Sequence, residues 1–368
     1  MGEFLSKLKG LLRFGGAIHI GIDVGASSVK IIAVKNNKSD RPRVVGAAIV
    51  EIPVGCVVDG VLNDTRSVSE IIRNTLESAR IDYHDQPAAV GMRGLNVVYK
   101  KLLLPFQKPA EMAQQIWIEA QQQVDSDLTS WIIDHQVMAA PDIQGQVPVM
   151  LVAAKRSAVE EFNAMLQLIG VKPDVFDCDV FAIENAAEQS IGIKSDTIMC
   201  LDIGQDSTKI NIIQDGHPCL TRSFSLGGSH LTELMAKNLG IDFSQAETMK
   251  ISANSSGDLL SQKEVAQSVK VHIEEINEEI KRTLEFFANS SSDVQLDTVD
   301  RVILSGGGAT VAGLPESISK FLNCQVDLAR PFERANVTAK AAEVINMFPH
   351  VFNVAYGLAL RYAGDKPH

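Results

Sequence analysis

The sequence predicts an α/β fold of two lobes, each built on a copy of the same strand–turn–strand unit. The pattern D-[VI]-G-x-x-S-x-K occurs at residues 23–30 and again at residues 202–209, roughly half of the 368-residue chain later. Each copy follows an apolar run and precedes a second run rich in β-branched residues, which favours strand over helix. Two such hairpins, half a chain apart, indicate a duplicated protein with a ligand held between its halves.

The composition excludes several classes of protein. An apolar fraction of 45% and a charged fraction of 21% are typical of a folded chain and not of a disordered one. The net charge of −11 argues against general binding to nucleic acid. Five cysteines form no CxxC pair and eight histidines show no clustered spacing, so we expect neither a disulfide framework nor a zinc site. No apolar run reaches the ~18–20 residues that span a bilayer.

Secondary structure follows from periodicity and turn signals. The predicted strands of the first half span residues 18–23, 29–35 and 43–50, a pair of strands within 90–107, and residues 131–139, 147–154 and 175–178. The predicted helices of that half run from a capping box at Ser67 to about Arg80, over 109–123, from a second capping box at Ser157 to Gly170, and over 180–188. The mixture of strands with a Gln-rich helix in residues 86–154 indicates an inserted α+β subdomain.

The second half repeats the plan of the first. Its predicted strands span residues 198–202, 208–214 and 219–225, with another at 301–305, and its predicted helices span 229–239, 264–288 and 354–362. The apolar stripe of the long helix at 264–288 is expected to lie in the core. The predicted division of the chain is 1–17 (an N-terminal amphipathic segment), 18–85 and 155–190 (core of the first lobe), 86–154 (inserted subdomain), 191–228 and 296–340 (core of the second lobe), 229–295 (a second-lobe subdomain) and 341–368 (C-terminal helices returning to the first lobe).

The repeated turn predicts a phosphate site of an unusual kind. Common phosphate loops lead from a strand into a helix, whereas here the glycine turn leads into another strand. It would therefore offer turn N–H groups and hydroxyls to an anion. Gly25 and Gly204 permit close approach, and Asp23 and Asp202, at the strand ends, could hold a magnesium ion through its waters. The alternative, two unrelated hairpins with glycine turns, is weakened by the second copy.

Two further features leave alternatives open. Residues 301–309 form an apolar run ending in a glycine cluster, which would lie flat against a nucleoside or simply join a strand to a helix. Glu247 and Lys250 are three residues apart and share one helical face. They would contact a ribose and a purine, or form an exposed ion pair worth only tenths of a kcal/mol.

The motifs in this order resemble the actin-like ATPase superfamily, in the segments GIDVGASSVK, LDIGQDSTKI and ILSGGGATVAGLPE. The segments VMLVAAKRSAVEEF and SFSLGGSHLTELMAKNLGIDFSQAETMK are similar to the PilM family of type IV pilus assembly proteins. The resemblance covers almost the whole chain. It implies an actin-like (ribonuclease H-like duplicated) two-lobed fold, in which the insert corresponds to the 1C subdomain of the division protein FtsA and lies against subdomain 1A.

The resemblance also implies roles for individual residues. Asp23 and Asp202 would face Mg²⁺, and the phosphates of ATP would be contacted by Gly25, Ala26, Ser27, Ser28 and Lys30 from the first lobe and by Gly204, Gln205 and Ser207 from the second. Glu247 and Lys250 would meet the ribose and base, and Gly306 and Gly307 would lie against the adenosine. The residue that orients attacking water would fall near Glu184 or Asn185. Asp206 departs from the pattern by adding a negative charge beside the phosphates.

The function implied by the resemblance is binding, with at most slow ATP hydrolysis. Members of the family capture the cytoplasmic N-terminal peptide of PilN, a single-span membrane protein, in a groove between subdomains 1A and 1C. We therefore expect a peripheral protein on the cytoplasmic face of the inner membrane. Other inner-membrane pilus proteins would be further partners, and contact with the pilus motor ATPases stays open. The N-terminal segment would rest on anionic lipid or form a loosely packed helix.

Two other functions compete with this interpretation. An FtsA-like or other bacterial actin-like cytoskeletal protein would share the fold, but FtsA ends in an amphipathic membrane-targeting helix that we do not find before His368. A small-molecule kinase of the sugar-kinase class would need a catalytic aspartate and a polar pocket in the first lobe, and no convincing pattern for one is present.

Overall fold

The computed structural model describes residues 17–36, 38–124, 127–138, 140–192, 196–214, 217–256, 263–290 and 299–362. Most of the predicted N-terminal amphipathic segment lies outside these residues. The strands, in chain order, are β1 (Ile18–Val24), β2 (Ser28–Lys35), β3 (Arg43–Glu51), β4 (Val57–Val58), β5 (Val61–Leu62), β6 (Ala88–Met92), β7 (Val97–Pro105), β8 (Trp131–Val137), β9 (Gln146–Lys155), β10 (Pro173–Cys178), β11 (Thr197–Ile203), β12 (Thr208–Gln214), β13 (His217–Phe224), β14 (Arg301–Ser305), β15 (Gln325–Leu328) and β16 (Asn336–Val337). The helices are α1 (Thr65–Ser78), α2 (Pro109–Gln123), α3 (Arg156–Leu168), α4 (Asp179–Ile191), α5 (Gly228–Leu239), α6 (Phe243–Ser256), α7 (Lys263–Ser290), α8 (Leu314–Leu322), α9 (Ala339–Ile345) and α10 (Asn353–Ala359).

Two large sheets share one topology, as the repeated motif predicts. The first has the order β10-β6-β1-β2-β3-β16 and the second the order β13-β12-β11-β14-β15. In each sheet the three strands around the repeated turn are antiparallel, and the next two strands are added in parallel on the other side. The sheets are the cores of lobe I and lobe II, and the prediction of a duplicated two-lobed α/β fold is confirmed.

The lobes meet through two helices, α4 and α10. Apolar side chains of α4, among them Ala182 and Ile183, share one buried cluster with Ile198 and Cys200 of β11. Helix α10 lies so close to the lobe I sheet that a Cβ on Gly21 of β1 would stand 2.0 Å from the carbonyl oxygen of Ala355. Only glycine allows this approach, and it brings both helices against the strands that end in the repeated motif.

The insert forms a separate sheet with the order β7-β9-β8, covered on one face by α2. Its boundary differs from the prediction of paired strands over 90–107. Residues 88–92 form β6, which pairs in parallel with β1 and β10 at the centre of the lobe I sheet. The separate sheet begins only at Val97. Both segments are apolar, and the sequence pattern does not reveal that their partners lie in different sheets.

Other helices fall near their predicted positions, with two differences at their ends. Helix α1 is capped by Asp64, whose carboxylate accepts the N–H of Ser67 at 3.0 Å and its hydroxyl at 2.6 Å. The carboxylate stands earlier in the chain than the predicted Ser67 cap and so begins the helix sooner. Helix α3 begins at Arg156 after Lys155, without a side-chain cap.

The core prediction for the long helix is confirmed by α7. Its apolar stripe is buried in the lobe II cluster at Val265, Val269, Ile273, Ile276 and Ile280. Among the residues that the structure describes, no helix combines the length and the apolar character needed to cross a membrane.

Candidate functional site

The repeated motif builds the same turn in both lobes. The N–H of Gly25 donates to the carbonyl of Ser28, and the N–H of Gly204 donates to the carbonyl of Ser207, each at 2.9 Å. Opposite each aspartate on the paired strand stands a lysine, and Nζ lies 3.4 Å from Oδ2 in the Lys30–Asp23 pair. The corresponding distance in the Lys209–Asp202 pair is 3.3 Å. Both lysines therefore point toward the aspartate of their own hairpin.

A buried chain of charges connects the two turns. The guanidinium of Arg93, which follows β6, contacts Asp23 and lies with its Nε 2.8 Å from Oδ2 of Asp179. The same Asp179 oxygen is 3.1 Å from Nζ of Lys209. Asp179 is the first residue of α4, so the helix between the lobes carries the carboxylate that both lobes contact. The two motif aspartates are thereby joined through Arg93, Asp179 and Lys209.

The charged state of this cluster is stable because its members offset one another. Burial by itself would raise the pKa of Asp23, but Lys30, Arg93 and Lys209 outweigh it and lower that pKa to about 2. Burial would lower the pKa of Lys209, yet Asp179 and Asp202 raise it above its ordinary value. The carboxylates of Asp23, Asp179 and Asp202 thus face the cationic groups of Lys30, Arg93 and Lys209.

The lobe II turn is supported from behind by the start of α5. The N–H of Gly228 donates to the carbonyl of Gly204 at 2.9 Å, and the N–H of Ser229 donates to that of Gln205 at 2.8 Å. Asp206, the departure from the pattern, accepts a hydrogen bond from the hydroxyl of Ser229 at 3.3 Å and another from the backbone of Asp59 in lobe I. Its carboxylate therefore takes part in a contact between the lobes.

Glu247 and Lys250 form more than an exposed ion pair. Nζ of Lys250 donates to the carbonyl of Gly228 at 2.9 Å, to the hydroxyl of Thr232 at 2.8 Å and to Oε2 of Glu247 at 2.7 Å. Burial lowers the pKa of Lys250, with Glu247 opposing the shift. The structure brings both residues to the base of the lobe II turn, so the interpretation as a solvated pair is wrong.

The third glycine cluster lies beside the same turn. Gly306 has a φ of +83°, and a Cβ there would stand 2.3 Å from the carbonyl oxygen of Ile203. A side chain would therefore break the contact between the ends of β14 and β11. Gly307 is exposed, and no described atom lies within 4 Å of the position of a Cβ. It begins a short 3₁₀ helix (Gly307–Thr310) and, having no side chain, leaves its backbone open next to the Gly306–Ile203 contact.

Glu184 and Asn185 lie on α4, as predicted, but outside the charged cluster. The groups that influence Glu184 are Glu188, Asp177 and Arg361, and burial as the largest cause raises its pKa to about 8. The side-chain nitrogen of Asn185 is buried without a hydrogen-bond partner within the described part of the chain. Their suggested role toward water stays a prediction.

Sequence reasoning missed Arg93 and Asp179. Each stands at the carboxyl end of a parallel strand of lobe I, β6 and β10, which is where open α/β sheets place their ligand sites. The signal for Arg93 is hidden because residues 86–154 are predicted to form the insert. Asp179 stands just before the helix predicted over 180–188, where a carboxylate is an ordinary helix start and gives no separate signal. With β6 in the lobe I sheet, Arg93 belongs to the site.

The magnesium prediction can be tested against the donor atoms. Arg93 and Lys30 engage the two carboxylate oxygens of Asp23. Lys209 engages one oxygen of Asp202, and the hydroxyl of Ser305 donates to the other at 2.8 Å. Within the described ranges, no three His, Cys, Asp or Glu side chains are arranged to hold a metal. These carboxylates therefore do not fit a directly coordinated magnesium ion, and contact through water stays a prediction.

Solved structures share this fold. A PilM–PilN type IV pilus biogenesis complex is 24% identical with a TM-score of 0.81, and the match covers 94% of this chain and 99% of that one. MreB5 of Spiroplasma citri, bound to ADP, is 13% identical with a TM-score of 0.51, over 90% of this chain and 96% of that one. At these identities the likeness shows the actin-like fold, which confirms the fold expected from the resemblance.

Sequence comparison gives a partial and a nearly complete match. Cell division protein FtsA of Agrobacterium fabrum is 26% identical over 161 residues, a segment that covers 38% of this chain and only 36% of that relative. The profile of the family described as type IV pilus assembly protein PilM matches residues 21–363. That match includes both glycine turns, the insert and the helices between the lobes, and the chain therefore belongs to the PilM family of type IV pilus assembly proteins.

Proposed function

We propose that this protein is an ATP-binding scaffold of type IV pilus assembly that holds the cytoplasmic N-terminal peptide of PilN. The observation that carries the nucleotide part is the pair of matching glycine turns joined by the Arg93–Asp179 cluster. Relatives of the same fold were solved with adenine nucleotides, among them MreB5 of Spiroplasma citri with ADP. The triphosphate would lie against the N–H groups and hydroxyls of the two turns, and the nucleoside would lie against Gly307.

Nucleotide binding is tested by calorimetric titration of ATP into the full-length protein. We expect Asp202→Asn to weaken binding by about tenfold, because it frees Lys209 and Ser305 from their present geometry beside the turn. Asp134→Asn, at an exposed carboxylate on β8, is the matched control and should leave the affinity unchanged. Absence of any ATP binding to the wild-type protein would exclude this part of the proposal.

The surface proposed for the peptide is the face of the inserted sheet that α2 leaves uncovered. Leu102 and Leu104 of β7 pack in the core with α2, so the intervening Leu103 points to the opposite face, where it is 58% exposed. Toward lobe I the same face carries Tyr99, which packs against the lobe I core and stacks edge-on against Phe181. The uncovered face therefore runs into the junction between lobe I and the insert.

Strand pairing adds a way to hold an extended peptide there. In the described part of the chain β7 pairs with β9 alone, so β7 has one free edge beside this face. Main-chain hydrogen bonds to a free edge, with pockets for alternate side chains, are a common mode of peptide recognition. The solved PilM–PilN complex, which shares the fold, supports PilN as the occupant.

A synthetic peptide with the sequence of the PilN cytoplasmic N-terminus tests this part. We expect a dissociation constant of about 1 µM or below for the wild-type protein and a loss of at least about tenfold for Leu103→Asp. Ile143→Asp, at a fully exposed aliphatic residue between β8 and β9, is the matched control. If both substitutions had equal effects, Leu103 would not belong to the peptide site.

We also propose that the protein acts at the cytoplasmic face of the inner membrane, where the PilN segment would recruit it.

In this proposal the two lobes are built on the two large sheets, and the PilN-binding insert corresponds to residues 97–155. The boundary follows the strand pairing, in which β6 completes lobe I.

A further inference from the structure

Arg93 has the geometry of a phosphate ligand in addition to its ion pairs. The described contacts of its guanidinium use Nη2 toward Asp23 and Nε toward Asp179. Nη1 lies on the side of the Gly25 turn, 3.6 Å from the position that a Cβ on Gly25 would take. Nζ of Lys30 lies 3.5 Å from the same position. Two cations from lobe I therefore stand directly against the first turn, where the absence of a glycine side chain leaves room.

Two carboxylates contact this guanidinium: Asp23 accepts a hydrogen bond from Nη2, and Oδ2 of Asp179 lies 2.8 Å from Nε as an ion pair without hydrogen-bond geometry. Asp23 is fixed at the end of β1, and Asp179 at the start of α4, so the guanidinium is held from two separate elements. The Arg93 side chain is only 17% exposed, and the Asp179 side chain 1%. With its side-on edge turned toward these carboxylates, the planar guanidinium keeps the parallel end-on N–H groups of Nη1 and Nη2, a fork that matches phosphate oxygens better than a flexible lysine does.

The position of Arg93 relative to Gly307 indicates which phosphate it would meet. Gly307 follows β14 of lobe II and borders the Gly204 turn, whereas Arg93 lies across the cluster beside the Gly25 turn of lobe I. If the nucleoside lies against Gly307, its phosphates would extend from lobe II toward lobe I. The last phosphate would then come nearest to Arg93, and the inner phosphates would stay near the Gly204 turn.

We propose that Arg93 contacts the terminal phosphate of the bound nucleoside triphosphate and makes the site prefer a triphosphate to a diphosphate. This inference rests on the proposed nucleotide binding. Asp23 and Asp179 act as positioning residues for the guanidinium. The positive charge that these aspartates hold between the two turns is therefore that of the Arg93 side chain.

The test is a set of calorimetric titrations with ATP and with ADP, under the same ionic conditions. We expect the wild-type protein to bind ATP at least about tenfold more tightly than ADP, and Arg93→Gln to lose about tenfold in ATP affinity while its ADP affinity changes less than about threefold. Arg93→Lys, which keeps the charge but loses the fork, should retain part of the preference. Arg66→Gln, at an exposed arginine on α1, is the matched control.

The titrations distinguish the proposed role of Arg93 from nucleotide binding itself. Equal affinity of the wild-type protein for ATP and ADP would exclude Arg93 as a reader of the terminal phosphate while leaving nucleotide binding intact. An equal loss of ATP and ADP affinity in Arg93→Gln would do the same. Absence of binding to either nucleotide would overturn both the proposed nucleotide binding and this inference. If Arg93→Gln fails to fold, the wild-type comparison and Arg93→Lys still give the answer.

Discussion

The two lobes carry the same hairpin on different supports. Two residues before its aspartate, lobe I has Gly21 and lobe II has Cys200. Gly21 lets the backbone of α10 lie directly against β1, whereas the Cys200 side chain packs with residues of α4. The turns share their hydrogen bonds because those depend on the repeated motif. The helices that pack against the two sheets differ. For this reason a residue of one lobe cannot simply replace its counterpart in the other lobe.

Asp179 tests the connection between the lobes and has the largest expected effect. Asp179→Ala leaves Arg93 and Lys209 as buried cations without their shared partner, and we expect the free energy of unfolding to fall by about 3–5 kcal/mol. Urea denaturation measures it. Glu70→Ala, which breaks an exposed pair with Arg66, should cost less than about 1 kcal/mol.

Second substitutions would show which lobe depends more on that carboxylate. The Lys209 side chain is 8% exposed and that of Arg93 is 17% exposed. Lys209 also pairs with Asp202, whereas Asp23 keeps Lys30 when Arg93 is replaced. Replacing Arg93 by Met in the Asp179→Ala background should therefore restore more stability than the same replacement of Lys209, which leaves Asp202 as a buried carboxylate without its cation. The reverse order would mean that burial of the lone cation, and not the pairing of the carboxylates, decides the cost.

Alanine substitutions at the two counterpart positions, Gly21 and Cys200, should lower the free energy of unfolding somewhat less than Asp179→Ala does. Gly21→Ala places a Cβ 2.0 Å from the carbonyl oxygen of Ala355 and 2.5 Å from the backbone nitrogen of Ala359. Backbone must move, and we expect a loss of about 3 kcal/mol in urea denaturation. Cys200→Ala removes only a buried sulfur and should cost about 1 kcal/mol. Equal costs at the two positions would contradict the difference between the lobes.

A further effect is a pH dependence from the helix between the lobes. Burial, with Glu188 and Asp177, raises the pKa of Glu184 from its ordinary 4.5 to about 8. Its folded-state pKa exceeds the unfolded one, so its stabilising contribution is complete below about pH 4.5 and is lost as the pH rises through 8. Between pH 6 and pH 9 the wild-type protein should lose about 2–3 kcal/mol relative to Glu184→Gln.

That comparison is made by denaturation of both proteins at each pH, so that other titrating groups cancel. A stability difference between the two proteins that stays constant from pH 6 to pH 9 would show that Glu184 titrates at its ordinary value. The prediction would then be wrong, and the carboxylate would be better hydrated than its burial indicates.

The sequence predicted the parts of the site that are local. The hairpins around Gly25 and Gly204 follow from residues within one turn, because apolar runs and a glycine specify strand and turn by themselves. The partners of Lys250 could not be predicted, since Gly228 and Thr232 lie on another helix. A helical spacing alone does not distinguish a buried anchor from an exposed ion pair.

The insert boundary and Arg93 were missed for one related reason. An apolar strand such as β6 does not show from its own residues whether it joins the sheet before it or the one after it. Its pairing with β1 and β10 fixes the end at which Arg93 emerges.

By itself the sequence determined the duplicated fold, the two matching turns and the family. Repetition and periodicity depend on residues that are close in the sequence, so they can be recognised without the tertiary structure. Only the tertiary structure decided which charges meet between the turns. Arg93, Asp179 and Lys209 come from three separate elements, and burial makes each of them depend on the others. Such dependence arises when long-range packing removes water, so no local pattern in the sequence encodes it.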